Sequence, residues 1–69
     1  TPRLFSEIVE RHGAMVLRTC LRITGNTQDA EDAAQATFLL LSRRPRAVTQ
    51  NLPGWLHKVA RESAAQIVR

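Results

Sequence analysis

The sequence predicts an all-α domain, a compact bundle of three to four helices. Apolar residues recur at steps of three and four along most of the chain, which is the period of an amphipathic helix. No run alternates strictly between apolar and polar residues, so no strand is expected. Two groups of helix-breaking residues, at 24–26 and 45–51, divide the chain into three helical segments.

The first helical segment covers residues 2–24. Pro2 suits the first helical position, with Thr1 before it as the expected N-cap. Gly13 interrupts the apolar pattern, so the segment is either one bent helix or two short helices. Cys20 falls among apolar neighbours and is predicted to be a small core residue. Gly25 is expected to end the segment as a left-handed C-cap.

The second helical segment begins after Asn26 or Thr27, either of which can serve as its N-cap. Carboxylates crowd its first two turns, where they favour the positive end of the helix dipole: Asp29, Glu31 and Asp32. Its buried stripe is predicted to comprise Ala30, Ala33, Ala34, Thr37, Phe38 and Leu41. Arg43 and Arg44 occupy the last turn, and Pro45 ends the helix.

A loop without helical period follows over residues 45–51, and the third helix is predicted to begin near Leu52. It carries a regular apolar stripe, comprising Leu52, Trp55, Leu56, Val59, Ala60, Ser63, Ala64, Ile67 and Val68. Trp55 lies on this stripe, so core packing is favoured over a role as a wedge between base pairs.

Length and composition exclude several classes of protein. With 69 residues, the chain is expected to form one domain over residues 1–69. One cysteine and two histidines provide neither an internal disulfide nor a zinc site. No apolar run approaches the roughly 18 residues that span a bilayer, and no signal peptide is visible. We therefore expect a cytoplasmic domain without metal, cofactor or membrane contact.

The charge is divided unevenly along the chain. The net charge is +4, but residues 26–42 contain three carboxylates and no basic residue, whereas residues 43–69 contain six basic residues and only Glu62 as an acid. Matching of charges to helix dipoles accounts for the carboxylates and for Arg43 and Arg44. It does not account for Arg46 or for the basic third helix. Two functional surfaces of opposite sign are the alternative, and the basic one favours nucleic acid as a partner.

No catalytic arrangement accompanies these charges. Asp29 and Asp32 are the acidic pair at helical spacing, and the sequence offers them no base, metal-ligand set or glycine-rich phosphate loop. An enzyme is therefore not expected.

Two motifs resemble region 2 of extracytoplasmic-function (ECF) sigma factors, the smallest members of the bacterial sigma-70 family. They are DAEDAAQATF at residues 29–38 and GWLHKVA at residues 54–60. The leading segment, from Leu4 and Phe5 to Arg18, resembles the first helices of the same domain. The resemblance covers essentially the whole chain and implies the helical fold of that region.

The resemblance implies that the second helix docks on the clamp helices of the β′ subunit of core RNA polymerase. By position, the polymerase-binding residues would be Asp29, Asp32, Gln35 and Leu39. Ala36 stands where the family usually has Glu.

The resemblance also implies that the loop and the third helix recognise and melt the −10 promoter element, by capturing an extruded base of the non-template strand. Phosphate contacts are expected from Arg43, Arg44, Arg46, Lys58 and Arg61. Base-edge contacts are expected from Thr49, Gln50 and Asn51. Glu62 stands where the family often has Asn, and its carboxylate repels phosphate.

These observations predict a sigma factor domain that binds core RNA polymerase and promoter DNA in transcription initiation, with an anti-sigma factor as a further candidate partner. The C-terminal helix-turn-helix domain with which sigma factors bind the −35 element is not expected in this chain. Two alternatives stay open: a sigma-like protein-interaction module without promoter activity, and an unrelated small helical DNA-binding domain. The sequence leaves the oligomeric state open.

Overall fold

The computed structural model describes residues 2–44 and 51–68, with side chains from residue 4 onward. The described residues form three helices and no strand: α1 (Pro2–Thr24), α2 (Thr27–Arg43) and α3 (Leu52–Ile67). Each helix packs against the other two. The predicted all-α bundle is confirmed, with three helices. None of the described helices is long and apolar enough to cross a membrane.

Helix α1 is a single helix that runs through Gly13, which settles the alternative left open by the sequence. Both halves direct apolar residues to the same core, with Ile8 before the glycine and Val16 after it. The helix ends at Thr24, and the next residue, Gly25, has a φ of 78° and donates its N–H to the carbonyl of Leu21 at 2.9 Å. The predicted left-handed C-cap is therefore confirmed. The predicted N-cap, Thr1, lies outside the described residues.

Helix α2 begins with Asn26 as its N-cap, and Thr27 is its first helical residue. The Asn26 side chain accepts a hydrogen bond from the Asp29 N–H at 2.8 Å and donates one to the Asp29 carboxylate at 2.9 Å. This pair satisfies a backbone donor that the helix itself leaves unpaired. At the other end, the Arg44 N–H donates to the Leu41 carbonyl at 3.0 Å.

Helix α3 begins with Asn51 as its N-cap. The side-chain oxygen of Asn51 accepts a hydrogen bond from the Gly54 N–H at 3.3 Å. Pro53 lies in the first turn, where a missing N–H leaves no helical hydrogen bond unmade. A Cβ on Gly54 would come within 2.9 Å of the Asn51 Cγ, so this cap depends on glycine at residue 54.

The core lies where the three helices meet, and many of its members are small. The buried cluster comprises Ile8, Val16, Cys20, Ala30, Ala33, Leu41, Leu56, Ala60 and Ala64. Thr37 is buried with them and donates its hydroxyl to the Ala33 carbonyl at 2.9 Å, so no polar atom is left unpaired there. Phe38 and Trp55 are half-buried and pack against this cluster.

The prediction that the last two residues of the α3 stripe are buried is wrong. Ile67 is 37% exposed and Val68 is 48% exposed. Val68 is the C-cap and therefore lies beyond the last helical turn. Ile67 lines an open groove at the edge of α2 instead of the interior.

Candidate functional site

A groove beside α2 brings together three of the four residues predicted to bind polymerase. Its lining comprises Val9, Asp32, Gln35, Ala36, Phe38 and Leu39, and it is called here the α1–α2 groove. Asp32 and Gln35 are exposed, and 56% of the Leu39 surface is exposed. An acid beside an exposed apolar side chain suits a partner helix with basic and apolar residues.

Asp29, the fourth of these residues, has a different environment. It is half-buried and does not line the groove. Its carboxylate accepts the hydrogen bond from Asn26, and its backbone N–H donates to the same side chain. Asp29 therefore stabilises the beginning of α2, and its contact with polymerase stays a prediction.

A second groove, the α2–α3 groove, lies on the other side of the same helix. Its lining comprises Ala36, Leu39, Leu40, Arg43, Val59, Glu62, Ser63, Gln66 and Ile67. Ala36 and Leu39 line both grooves and therefore form the ridge between them. The sequence placed Ile67 on the buried stripe of α3 and therefore gave it no site role. Leu40 is 40% exposed. Its position outside the predicted buried stripe of α2 already indicated this exposure.

A basic surface extends from the end of α2 along α3, and it comprises Arg43, Arg44, Lys58 and Arg61. Arg44 and Lys58 border one depression together with Trp55. Lys58 and Arg61 border the next one together with Ile23. All four basic side chains are exposed. The structure thus brings together residues from two helices that the sequence separates by 14 positions or more.

Glu62 lies within this basic surface. It lines the α2–α3 groove with Arg43, the first depression with Arg44, and the second with Arg61. Its carboxylate lowers the positive potential at the point where the basic side chains converge. This position makes Glu62 a determinant of how strongly the surface attracts an anion.

Of the remaining four residues predicted to bind DNA, the structure describes only Asn51. Arg46, Thr49 and Gln50 lie outside the described residues. Asn51 is exposed, but its side-chain oxygen already accepts a hydrogen bond from Gly54 as the cap of α3. A role of Asn51 toward bases stays a prediction.

The buried thiol of Cys20 has a structural role. Its Sγ donates to the carbonyl oxygen of Ala60 at 3.7 Å. Burial raises the pKa of this thiol above its ordinary value, which disfavours the reactive thiolate. Within the described part of the chain, no group of three or more His, Cys, Asp or Glu residues could hold a metal ion.

The fold and the two surfaces agree with a sigma-type helical domain. The family model described as Sigma-70 region 2 matches residues 8–69, so the chain belongs to this family of transcription factor domains. The ECF RNA polymerase sigma factor SigE of Mycolicibacterium smegmatis is 33% identical over 66 residues. That match covers 94% of the chain and 26% of the relative, so the chain spans about a quarter of the relative's length. No solved structure matches the chain significantly. The resemblance to region 2 of an ECF sigma factor is thereby confirmed.

Proposed function

We propose that this domain binds core RNA polymerase through α2 and recognises and melts the −10 promoter element through its basic surface and the loop before α3. The observation that carries the proposal is that acidic and apolar residues gather in one groove beside α2, whereas basic residues of α3 border other depressions. Asp32, Gln35 and Leu39 share one groove, while Lys58 and Arg61 border a depression on another helix. The domain would work in the cytoplasm, on polymerase and promoter DNA together, and would itself catalyse no reaction.

The polymerase contact is proposed for the α1–α2 groove, with a helix of the β′ subunit as its occupant. Leu39 offers exposed apolar surface at the centre of the contact, and burying it provides affinity. Asp32 lines the same groove about two turns earlier on α2 and would orient a basic partner residue, since charges at the edge of an interface act mainly on orientation and association rate. Asp29 would assist by holding the first turn of α2 in place.

The polymerase contact is tested by reversing the charge of Asp32. Asp32→Lys should weaken binding to core polymerase by about tenfold or more, equivalent to ~1.4 kcal/mol. Glu31→Lys is the matched control. This substitution changes the charge by the same amount one residue away, and Glu31 does not line the groove. Binding of fluorescently labelled chain to core polymerase is followed by anisotropy. Equal loss in both variants would show a general charge effect and would contradict the assigned face.

The DNA contact is proposed for the basic surface together with the preceding loop. Lysine and arginine side chains bind phosphates and position a strand without reading its sequence. Extruding a base costs a few kcal/mol, which contacts to the base and its flanking phosphates must offset. Arg44, the C-cap of α2, and Lys58 of α3 border the same depression, so a strand crossing there would contact both.

Salt-dependent binding of single-stranded DNA tests this second contact. An oligonucleotide with the non-template −10 sequence should bind with an affinity that falls as salt is raised. Lys58→Gln should reduce the slope of log affinity against log salt by about 0.7, the value for one phosphate contact on a single strand. Arg18→Gln is the matched control, because Arg18 is exposed on α1 and borders none of these depressions.

The two alternatives give different results in the same assays. Polymerase binding without any binding of the single strand would favour a protein-interaction module, for which an anti-sigma factor is the candidate partner. A preference for duplex over single-stranded DNA, without polymerase binding, would favour an unrelated DNA-binding domain.

A further inference from the structure

The outer face of α2 carries a seam of residues at spacings of four, three and four. Its members are Asp32, Ala36, Leu39 and Arg43. Ala36 is half-buried and the other three are exposed, on the side of α2 away from the buried Thr37 and Leu41. This spacing is the a and d pattern of paired helices, which keeps a narrow stripe facing a second helix. Within the described residues, α1 and α3 leave Asp32, Leu39 and Arg43 uncovered.

The two ends of the seam also carry opposite charges. It has a carboxylate near the beginning of α2 and a guanidinium at the end, eleven residues or about 16 Å apart. Its two apolar members, Ala36 and Leu39, lie between these charges and are symmetric about the midpoint of the seam. A helix with this arrangement is complementary to itself when the second copy runs in the opposite direction.

We propose that two copies of this chain pair through α2, antiparallel and about a two-fold axis. Asp32 then lies opposite the partner's Arg43, and Arg43 lies opposite the partner's Asp32. At the centre, Leu39 packs against the small side chain of the partner's Ala36, and the reverse contact repeats it. A two-fold interface uses the same patch on both copies, so each favourable contact occurs twice.

The surroundings of the seam provide further area for the second copy. Ala36 and Leu39 form the ridge between two grooves, so side chains flanking the partner's seam have depressions to enter on both sides. Leu40 and Ile67 line one of these grooves and are 40% and 37% exposed. Pairing therefore removes further apolar surface from water on the side of the α2–α3 groove.

Pairing would cover Asp32 and Leu39, which are residues assigned above to the polymerase contact. A paired chain could then not bind polymerase through that face, and rising concentration of free chain would reduce its availability. This consequence rests on the proposed function, whereas the pairing itself rests only on the seam.

The test is the association state of the 69-residue chain and of two charge variants, measured by sedimentation equilibrium. The native chain should form dimers with a dissociation constant below about 1 mM. Asp32→Arg and Arg43→Asp should each weaken dimerisation at least about tenfold, because each places like charges together twice. An equimolar mixture of the two variants should dimerise again, since a mixed pair restores two contacts between opposite charges.

Dimer formation in the mixture is the decisive observation, because a variant that merely failed to fold would not form a dimer with the other variant. Circular dichroism confirms that each variant keeps its helices, and Glu31→Lys should dimerise like the native chain. A native chain that is monomeric at about 1 mM, or a mixture that stays monomeric, overturns the proposal. No polymerase or DNA is present, so the result is independent of the proposed function.

Discussion

Cys20 of α1 lies against Ala60 of α3, with its Sγ 3.7 Å from the Ala60 carbonyl oxygen. Both residues are fully buried. This close approach of two helices is possible because Ala60 projects only a methyl group, as do Ala30, Ala33 and Ala64 elsewhere in the core. Small residues at the helix contacts thus allow α1 and α3 to pack closely.

Enlarging Ala60 should destabilise the domain. Ala60→Leu inserts a branched side chain at a fully buried position, so the free energy of unfolding should fall by about 1–3 kcal/mol. Ala65→Leu is the control, because Ala65 is exposed on the same helix and should change stability by about 0.5 kcal/mol or less. Urea unfolding followed by circular dichroism measures both. Equal effects would mean that the contact is not tightly packed.

The Cys20 thiol should be slow to react in the folded domain. Burial raises its pKa, so the thiolate that attacks thiol reagents is scarce at neutral pH. Modification should accelerate sharply in urea concentrations that unfold the chain. The native state also keeps its thiol proton to higher pH than the unfolded state does, because burial raises the pKa of the thiol above its ordinary value. The free energy of unfolding should therefore fall as the pH rises above the ordinary thiol pKa, and Cys20→Ala should lack that contribution.

Substitutions at Asp29 and at Asp32 should differ in their effect on stability, because only Asp29 takes part in the cap of α2. Asn26→Ala removes the side chain that caps α2 and should cost about 1 kcal/mol. Asp29→Ala should also lower the melting temperature, because it removes a half-buried acceptor of that cap and a negative charge near the positive helix end. Asp32→Ala should leave the melting temperature nearly unchanged, since Asp32 is exposed. Thermal unfolding of the three variants checks this, and a large loss on Asp32→Ala would contradict it.

Glu62 should weaken the attraction of the basic surface for DNA. Glu62→Gln removes a negative charge that lies among Arg43, Arg44 and Arg61, so affinity for a single strand should rise about two- to fivefold at low salt. Glu10→Gln, on the exposed face of α1, is the control for a simple change of net charge. Anisotropy titrations at several salt concentrations measure the gain. The same gain from Glu10→Gln would show that position does not matter.

Local signals in the sequence determined the helices and their ends. Three- and four-residue spacing depends only on helix geometry, so it predicted α2, α3 and the helical character of residues 2–24 without knowledge of their packing. It did not predict that α1 is one continuous helix. Gly25 and Asn26 act on backbone groups within three or four residues. The capping role of Gly25 was predicted, and Asn26 is one of the two N-caps that the sequence allowed. The two motifs that resemble ECF sigma region 2 also lie in continuous segments, which is why the family was recognisable from the sequence.

Tertiary packing decided what spacing could not. An amphipathic stripe shows which residues avoid water but not how far the neighbouring helices extend, so Ile67 was wrongly expected in the core and lies at the rim of a groove. The same limit applies to function. The sequence predicted the same role in polymerase binding for Asp29 and Asp32. In the structure, Asp29 is hydrogen-bonded to Asn26 and stabilises the beginning of α2, whereas Asp32 is exposed. The convergence of Arg44 and Lys58 around Glu62 needs two helices, so only the folded chain could place it.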